Sequence, residues 1–290
     1  PTHDSSMTDP SSSPVPWWGA VALEPYTGGE WHVGPTTLWV HRSTHDWRVV
    51  VRPSTDPATV DPMAQRSDRT VPAAEETMTA VLEAESDDLT TTRYSVQDTD
   101  ESVALRPALA DRPVVTRPEH PLSVLPSEKV TLYLSTPLWV RIELVESARR
   151  LTEVPSHRMS DTWFGPSTRE GTLCYATRTA GRLRLDRLPR RLHRAITPLT
   201  VRNRTAEPLA LERIQLPVPH LSLYVTPGDT LWTDPVTMTH REKGAGAAVQ
   251  IREGPPSDRT DAEPIQAPRE QEKHGLFTST FSAVGALFGP

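Results

Sequence analysis

The stretch Pro155-Ser-His-Arg-Met-Ser-Asp-Thr-Trp-Phe-Gly165 packs a hydroxyl, an imidazole and a carboxylate into a few residues. Ser160, His157 and Asp161 are the residue types of a nucleophile, its base and the acid that orients the base. They lie too near one another in sequence for the geometry such a triad needs. A structural role fits better, with Asp161 and Ser160 bonding turn backbone while Trp163 and Phe164 anchor a long loop. Cys174, the single cysteine, is a second candidate nucleophile. It sits inside the apolar run Leu173-Cys-Tyr175 with no local cation or glycine turn to lower its pKa, so core filling is the expectation. His41 and His45 stand four residues apart beside Asp46, a spacing that holds zinc on a helix. Here the pair brackets a hairpin tip, where helical spacing carries no meaning. No catalytic residue, metal site or cofactor is expected, and the chain is read as not an enzyme.

Binding chemistry is better represented. Between Arg182 and Arg194 the chain carries Arg182, Arg184, Arg187, Arg190, Arg191 and Arg194 against one acid, Asp186. Guanidinium forks pair with phosphates, lipid headgroups or other anions. A charged, solvated strand edge is the alternative, and it is the favoured one. No aromatic residue interleaves the arginines, which argues against nucleic acid. Of the eight tryptophans, Trp39, Trp139 and Trp232 lie in apolar strand runs and are expected in the core. Trp17 and Trp18 follow a polar leader and are expected to be partly exposed, as indoles available for ligand stacking. At the C-terminus Phe277, Phe281, Val284 and Phe288 recur at helical spacing, with Leu276 and Leu287 widening the stripe. A helix this short needs a surface to lie on, either a partner or the protein's own body. The tail has no Lys or Arg to hold anionic lipid.

The elements that must position these groups are strands. β-Branched and aromatic runs flank the polar turn Arg42-Ser-Thr-His-Asp46, a hairpin signal, and Lys129-Val-Thr-Leu-Tyr-Leu-Ser135 alternates apolar and polar residues. Short strands with turn residues between them predict an all-β fold of antiparallel β-sandwich type, with long Pro-rich loops and a short amphipathic C-terminal helix. Residues 54–74 are read as one such loop. The expected organisation is a disordered leader over 1–16, an N-terminal β region over 17–120 and a C-terminal β region over 121–252. The two β regions form one continuous sandwich or two. A flexible linker over 253–274 and an apolar docking tail over 275–290 follow.

Totals bound the class. The chain has 290 residues, 36% of them hydrophobic, and 30 prolines, enough for one large or two smaller β cores and unsuited to an all-α fold. A net charge of −6 gives no general attraction to nucleic acid. One cysteine excludes an intrachain disulfide. The leader lacks the basic start and apolar core of a signal peptide, and no stretch approaches the roughly 20 apolar residues of a bilayer span. A cytoplasmic location is expected, peripheral to the inner membrane if a partner holds it there.

Several runs are distinctive together: Thr136-Pro-Leu-Trp-Val140, Pro155 to Gly165, Glu170-Gly-Thr-Leu-Cys-Tyr175, Leu216-Pro-Val-Pro-His-Leu-Ser-Leu-Tyr224 with Leu231-Trp-Thr233, and Gly34-Pro-Thr-Thr-Leu-Trp39. As a set they resemble a prokaryotic family of uncharacterised proteins, domain of unknown function 432, across residues 17–252. The family brings no activity with it. Its members tend to be encoded beside small mechanosensitive channels, which implies a membrane protein as partner. The functional expectation is therefore an interaction or accessory protein that docks its C-terminal helix onto a partner. The alternative is a carbohydrate- or small-ligand-binding sandwich module.

Overall fold

Strands form where branched and aromatic side chains alternate with polar ones, because a pleated ribbon then buries one face and wets the other. The structure, a computed structural model, describes residues 16–53, 69–70, 79–81, 88–96, 100–165, 169, 171–241, 247–271 and 277–278. Four strands, β1 (Gly19–Ala22), β7 (Ser102–Ala108), β11 (Trp139–Leu144) and β12 (Arg150–Pro155), form an antiparallel sheet in the order β1-β7-β11-β12. Five more, β2 (Gly28–Val33), β3 (Thr36–Arg42), β4 (Asp46–Arg52), β5 (Arg69–Thr70) and β6 (Thr90–Ser95), form a second in the order β5-β2-β3-β4-β6. Trp31, Leu38, Val40 and Trp47 from the second sheet share one apolar cluster with Val103, Leu105, Val140 and Ile142 from the first. The two sheets are thus a sandwich, and each such side chain contributes about 1.5–3 kcal/mol by leaving water.

The second unit is built on the longest pairing among the described residues, β10 (Lys129–Pro137) against β15 (Arg194–Asn203), antiparallel from Lys129 opposite Arg202 to Pro137 opposite Arg194. Around it lie β18 (Leu223–Val225), β19 (Leu231–Thr233), β20 (Val236–His240), β21 (Ala247–Ile251), β22 (Glu263–Gln266) and β23 (Phe277–Thr278), in the order β22-β18-β19-β15-β20-β21-β23. A four-stranded sheet joins β13 (Ser160–Phe164), β14 (Thr172–Gly181), β8 (Val114–Pro118) and β17 (Ile214–Leu216), and β9 (Leu122–Val124) pairs β16 (Leu209–Leu211). These strands share a second apolar cluster that includes Leu132, Leu134, Leu199, Val201, Leu216 and Met238.

The all-β expectation holds, with three differences. First, β14 runs parallel to β8, and β15 runs parallel to β19 and β20, so two sheets are mixed rather than antiparallel. Second, the units interleave in sequence. Strands β11 and β12, beyond residue 120, return to the first sandwich, while β8, before it, belongs to the second unit. Third, the stretch read as a flexible linker is a strap. Its β22 pairs with β18, the Gln266 side chain accepts the Leu109 N–H at 2.7 Å, and Arg269 donates to Leu109 O at 2.8 Å and to Glu153 Oε2 at 2.5 Å. Polar composition suggested flexibility, but three-residue pairings and one buried-side guanidinium suffice to order such a segment. Of the loop 54–74, only Arg69–Thr70 is described, as a strand on β2. Residues 1–15 lie outside the described residues.

Candidate functional site

The triad-like run does not assemble. Ser160 and Asp161 are adjacent on β13 and so project to opposite faces of the sheet. Asp161 faces Arg112 at 3.4 Å, and Ser156 donates to the His193 carbonyl at 3.4 Å. Phe164 is buried as expected, but Trp163 is 37% exposed, its indole lying over Gly171. Cys174 is fully buried and receives the Gln215 amide at 3.2 Å; burial pushes its thiol pKa up, away from nucleophilic use. His41 is buried in β3 while His45 is exposed at the hairpin tip, so the pair does not converge.

The stacking expectation for Trp17 is overturned. Trp17 is 0% exposed, and its indole N–H donates to Leu192 O at 2.9 Å. Having entered the sandwich, it carries the chain into the first core instead of presenting an indole to ligand. Trp18 is half-buried, stands edge-on to Trp17 at 5.5 Å and packs against both apolar clusters. Trp39, Trp139 and Trp232 are buried, as their strand context predicts.

The arginine run divides in two. Its first half leaves β14 and bends through a 3-10 turn at Leu185–Arg187. Parallel pairing of β14 with β8 sets Gly181 beside Pro118, and Arg182 then bridges to Tyr133 of β10 through paired backbone hydrogen bonds of 2.7 and 3.0 Å. The loop after β8 and the bend after β14 therefore face each other across β10. Between them lies a cleft of about 210 Å³, with Glu119, His120, Arg182, Arg184 and Arg187 at its polar wall and Leu122 and Leu132 among its apolar lining. Arg182 pairs with Glu119. Arg184 grips Asp186 through two nitrogens, at 3.0 and 2.6 Å, and this hydrogen bonding holds the Asp186 carboxyl below its ordinary value. Arg187 adds its charge to the same carboxylate. Three guanidiniums thus share two carboxylates, and the cleft keeps a net positive charge open to solvent.

The second half is turned inward. Arg191 N-terminally and Arg194 C-terminally close a β-turn through an Arg194 N–H to Arg191 O bond of 3.1 Å. Arg194 is buried and donates from Nη1 to Ser135 O at 3.0 Å and to Thr179 Oγ1 at 3.2 Å. Burial, and next the Arg191 charge, push its pKa down to about 9, which leaves it charged at neutral pH. The expected charged strand edge is not what forms: Arg190 is exposed but lies between strands, and Arg194 enters β15, which is central in its sheet.

Glu119 and His120 were not singled out in the sequence, because they reach the arginines only through the parallel β8–β14 pairing, which leaves no local signal. Of the docking stripe, Phe277 lies in β23, paired with Val249 of β21, so a helix does not begin there. Leu276, Phe281, Val284, Leu287 and Phe288 lie outside the described residues. No helix among the described residues is long and apolar enough to cross a membrane.

Comparison with curated proteins and with solved structures returns no match. One family model, described as a protein of unknown function (DUF432), matches residues 17–285. That span extends past the resemblance at residue 252 to take in the strap and most of the tail, and it shows that the chain belongs to the DUF432 family.

Proposed function

We propose that this chain is a non-enzymatic interaction protein that receives a phosphate-type group in the Arg182–Arg187 cleft and docks its C-terminal segment onto a partner. The cleft carries the reading: it combines an apolar floor with guanidiniums outnumbering their carboxylates, the arrangement that accepts an anionic headgroup or free phosphate. Cys174, by contrast, is buried and holds the Gln215 amide. After Thr278 the stripe Phe281, Val284, Leu287 and Phe288 is proposed to form the amphipathic docking helix. A membrane protein such as a small mechanosensitive channel is the proposed partner, by the gene neighbourhood of the family.

The test uses the full chain with phosphatidylglycerol vesicles, phosphatidylcholine vesicles and inorganic phosphate. Binding to phosphatidylglycerol that phosphate does not displace identifies a headgroup, and displacement by phosphate identifies the free anion. Either should fall at least tenfold in a chain carrying Arg184→Ala and Arg187→Ala. Equal binding to all vesicles, or no effect of the double variant, overturns the reading.

A further inference from the structure

The turn Arg191–Arg194 sits at the seam between the two β units and is pinned on several sides. Leu192 O accepts the Trp17 indole N–H at 2.9 Å, and His193 O accepts Leu138 N–H at 3.3 Å and the Ser156 hydroxyl at 3.4 Å. The His193 ring lies against Gly34, whose φ of +60° makes the tight β2–β3 turn beneath it. A β-turn brings the Cα atoms of its first and last residues within about 7 Å, so Arg191 and Arg194 hang close together with His193 between them.

Three side-chain nitrogens of this turn are orphaned. Arg191 Nε, His193 Nδ1 and Arg194 Nε are each buried without a hydrogen-bond partner. Among the described residues no carboxylate pairs with either guanidinium. Burial alone acts on Arg191, while burial and then the Arg191 charge act on Arg194. Two like charges so placed, Arg194 buried and Arg191 half-buried, favour an opposite charge beside them. The His193 ring does not add a third charge: burial, then the Arg194, Arg191 and His157 charges, push its pKa well below 6.5. A neutral imidazole protonated on Nδ1 still donates.

We propose that this turn binds a small monovalent anion, a halide such as chloride, among the free donors of Arg191, His193 and Arg194. Small size follows from burial, since His193 and Arg194 are 4% and 7% exposed. Single charge follows from desolvation, whose cost rises with the square of the charge that enters. The site is independent of the cleft and of the proposed function.

The experiment follows thermal unfolding of the full chain in sodium chloride, sodium bromide and sodium gluconate at equal ionic strength. Chloride and bromide should raise the midpoint saturably by about 2–4 °C over gluconate, as ligand binding to the folded state requires. Arg191→Met keeps the aliphatic stem and should abolish the halide dependence, whereas Arg190→Met, one residue away and exposed, should keep it. Equal midpoints in the three salts, or the same halide rise in Arg191→Met, overturn the site. Should Arg191→Met fail to fold, bromide located by anomalous scattering in crystals of the unaltered chain decides. A peak against Arg191 and Arg194 supports the site, and its absence there refutes it.

Discussion

Within one run of thirteen residues, arginines at the start and end of the same basic segment do opposite things. Arg182 and Arg184 lie toward solvent and hold Glu119 and Asp186, whereas Arg194 is drawn under the seam with backbone and hydroxyl oxygens for company. Each half carries three arginines. What separates them is where the chain turns: the 3-10 bend at Leu185–Arg187 keeps the first half outside, and entry into the central strand β15 takes the second half in. The lesson is that charge density in sequence does not set charge chemistry. A guanidinium in water contributes recognition and little stability, while a buried one must be satisfied and is correspondingly consequential.

The largest break in that contrast is expected from Arg194→Ala. It removes a buried stem and strips a donor from Ser135 O and Thr179 Oγ1, so stability should fall by about 2–4 kcal/mol in urea titration. A loss below about 0.5 kcal/mol would place Arg194 with the solvent-facing half. Next comes Gly34→Ala. A Cβ there would lie 2.8 Å from the His193 ring on a backbone at φ +60°, and a loss of about 1–3 kcal/mol is expected. Gly228→Ala is the matched control. Nothing lies within 4 Å of its new Cβ, and its midpoint should stay within about 0.5 kcal/mol.

A third prediction concerns pH. The pKa values of His193, His41 and His240 are all lowered from 6.5, burial being the largest cause in each. The folded state therefore refuses protons that the unfolded chain accepts, and stability should fall as pH drops below 6.5 toward the folded values. Glu153 adds to this at lower pH: against the opposing effect of burial, Arg269 and Arg141 hold its carboxyl below 4.5, so its contribution is lost as pH falls through that depressed value. His193→Gln should flatten the first part of the profile, measured as unfolding midpoint between pH 7.5 and 5.5 (roughly one unit either side of an ordinary imidazole). A variant profile parallel to the parent's would show that the other two histidines carry the effect.

Strand content was legible because periodicity and β-branching are local properties. The hairpin of β3 and β4 and the alternation of β10 both appear where the residues indicate. The core roles of Cys174, Trp39, Trp139 and Trp232 were legible for the same reason. Pairing across long separations was not. The parallel β8–β14 contact that makes the cleft joins residues some sixty apart, and no residue of either strand records its partner. Trp17 was misplaced because a polar leader says nothing about how far inside the next residue goes. The strap was misread because Gln266 and Arg269 look like solvent-loving residues until Leu109 and Glu153 stand opposite them.

The smallest expected effect on stability is the one that sharpens the comparison most. Arg184→Ala with Arg187→Ala removes two charges from the wall of the cleft, and both side chains are exposed. The Arg184–Asp186 ion pair is solvated and salt-screened, so the unfolding midpoint of the double variant should coincide with the parent's. Anion binding should instead weaken, and the remaining binding should lose most of its dependence on salt concentration, because the charges that generated it are gone. A double variant that unfolds early would mean that the outer half of the run also supports the fold. The division between recognising and load-sharing arginines would then fall at a different residue, and Arg182, tied to Tyr133 by backbone and to Glu119 by its side chain, is where it would move.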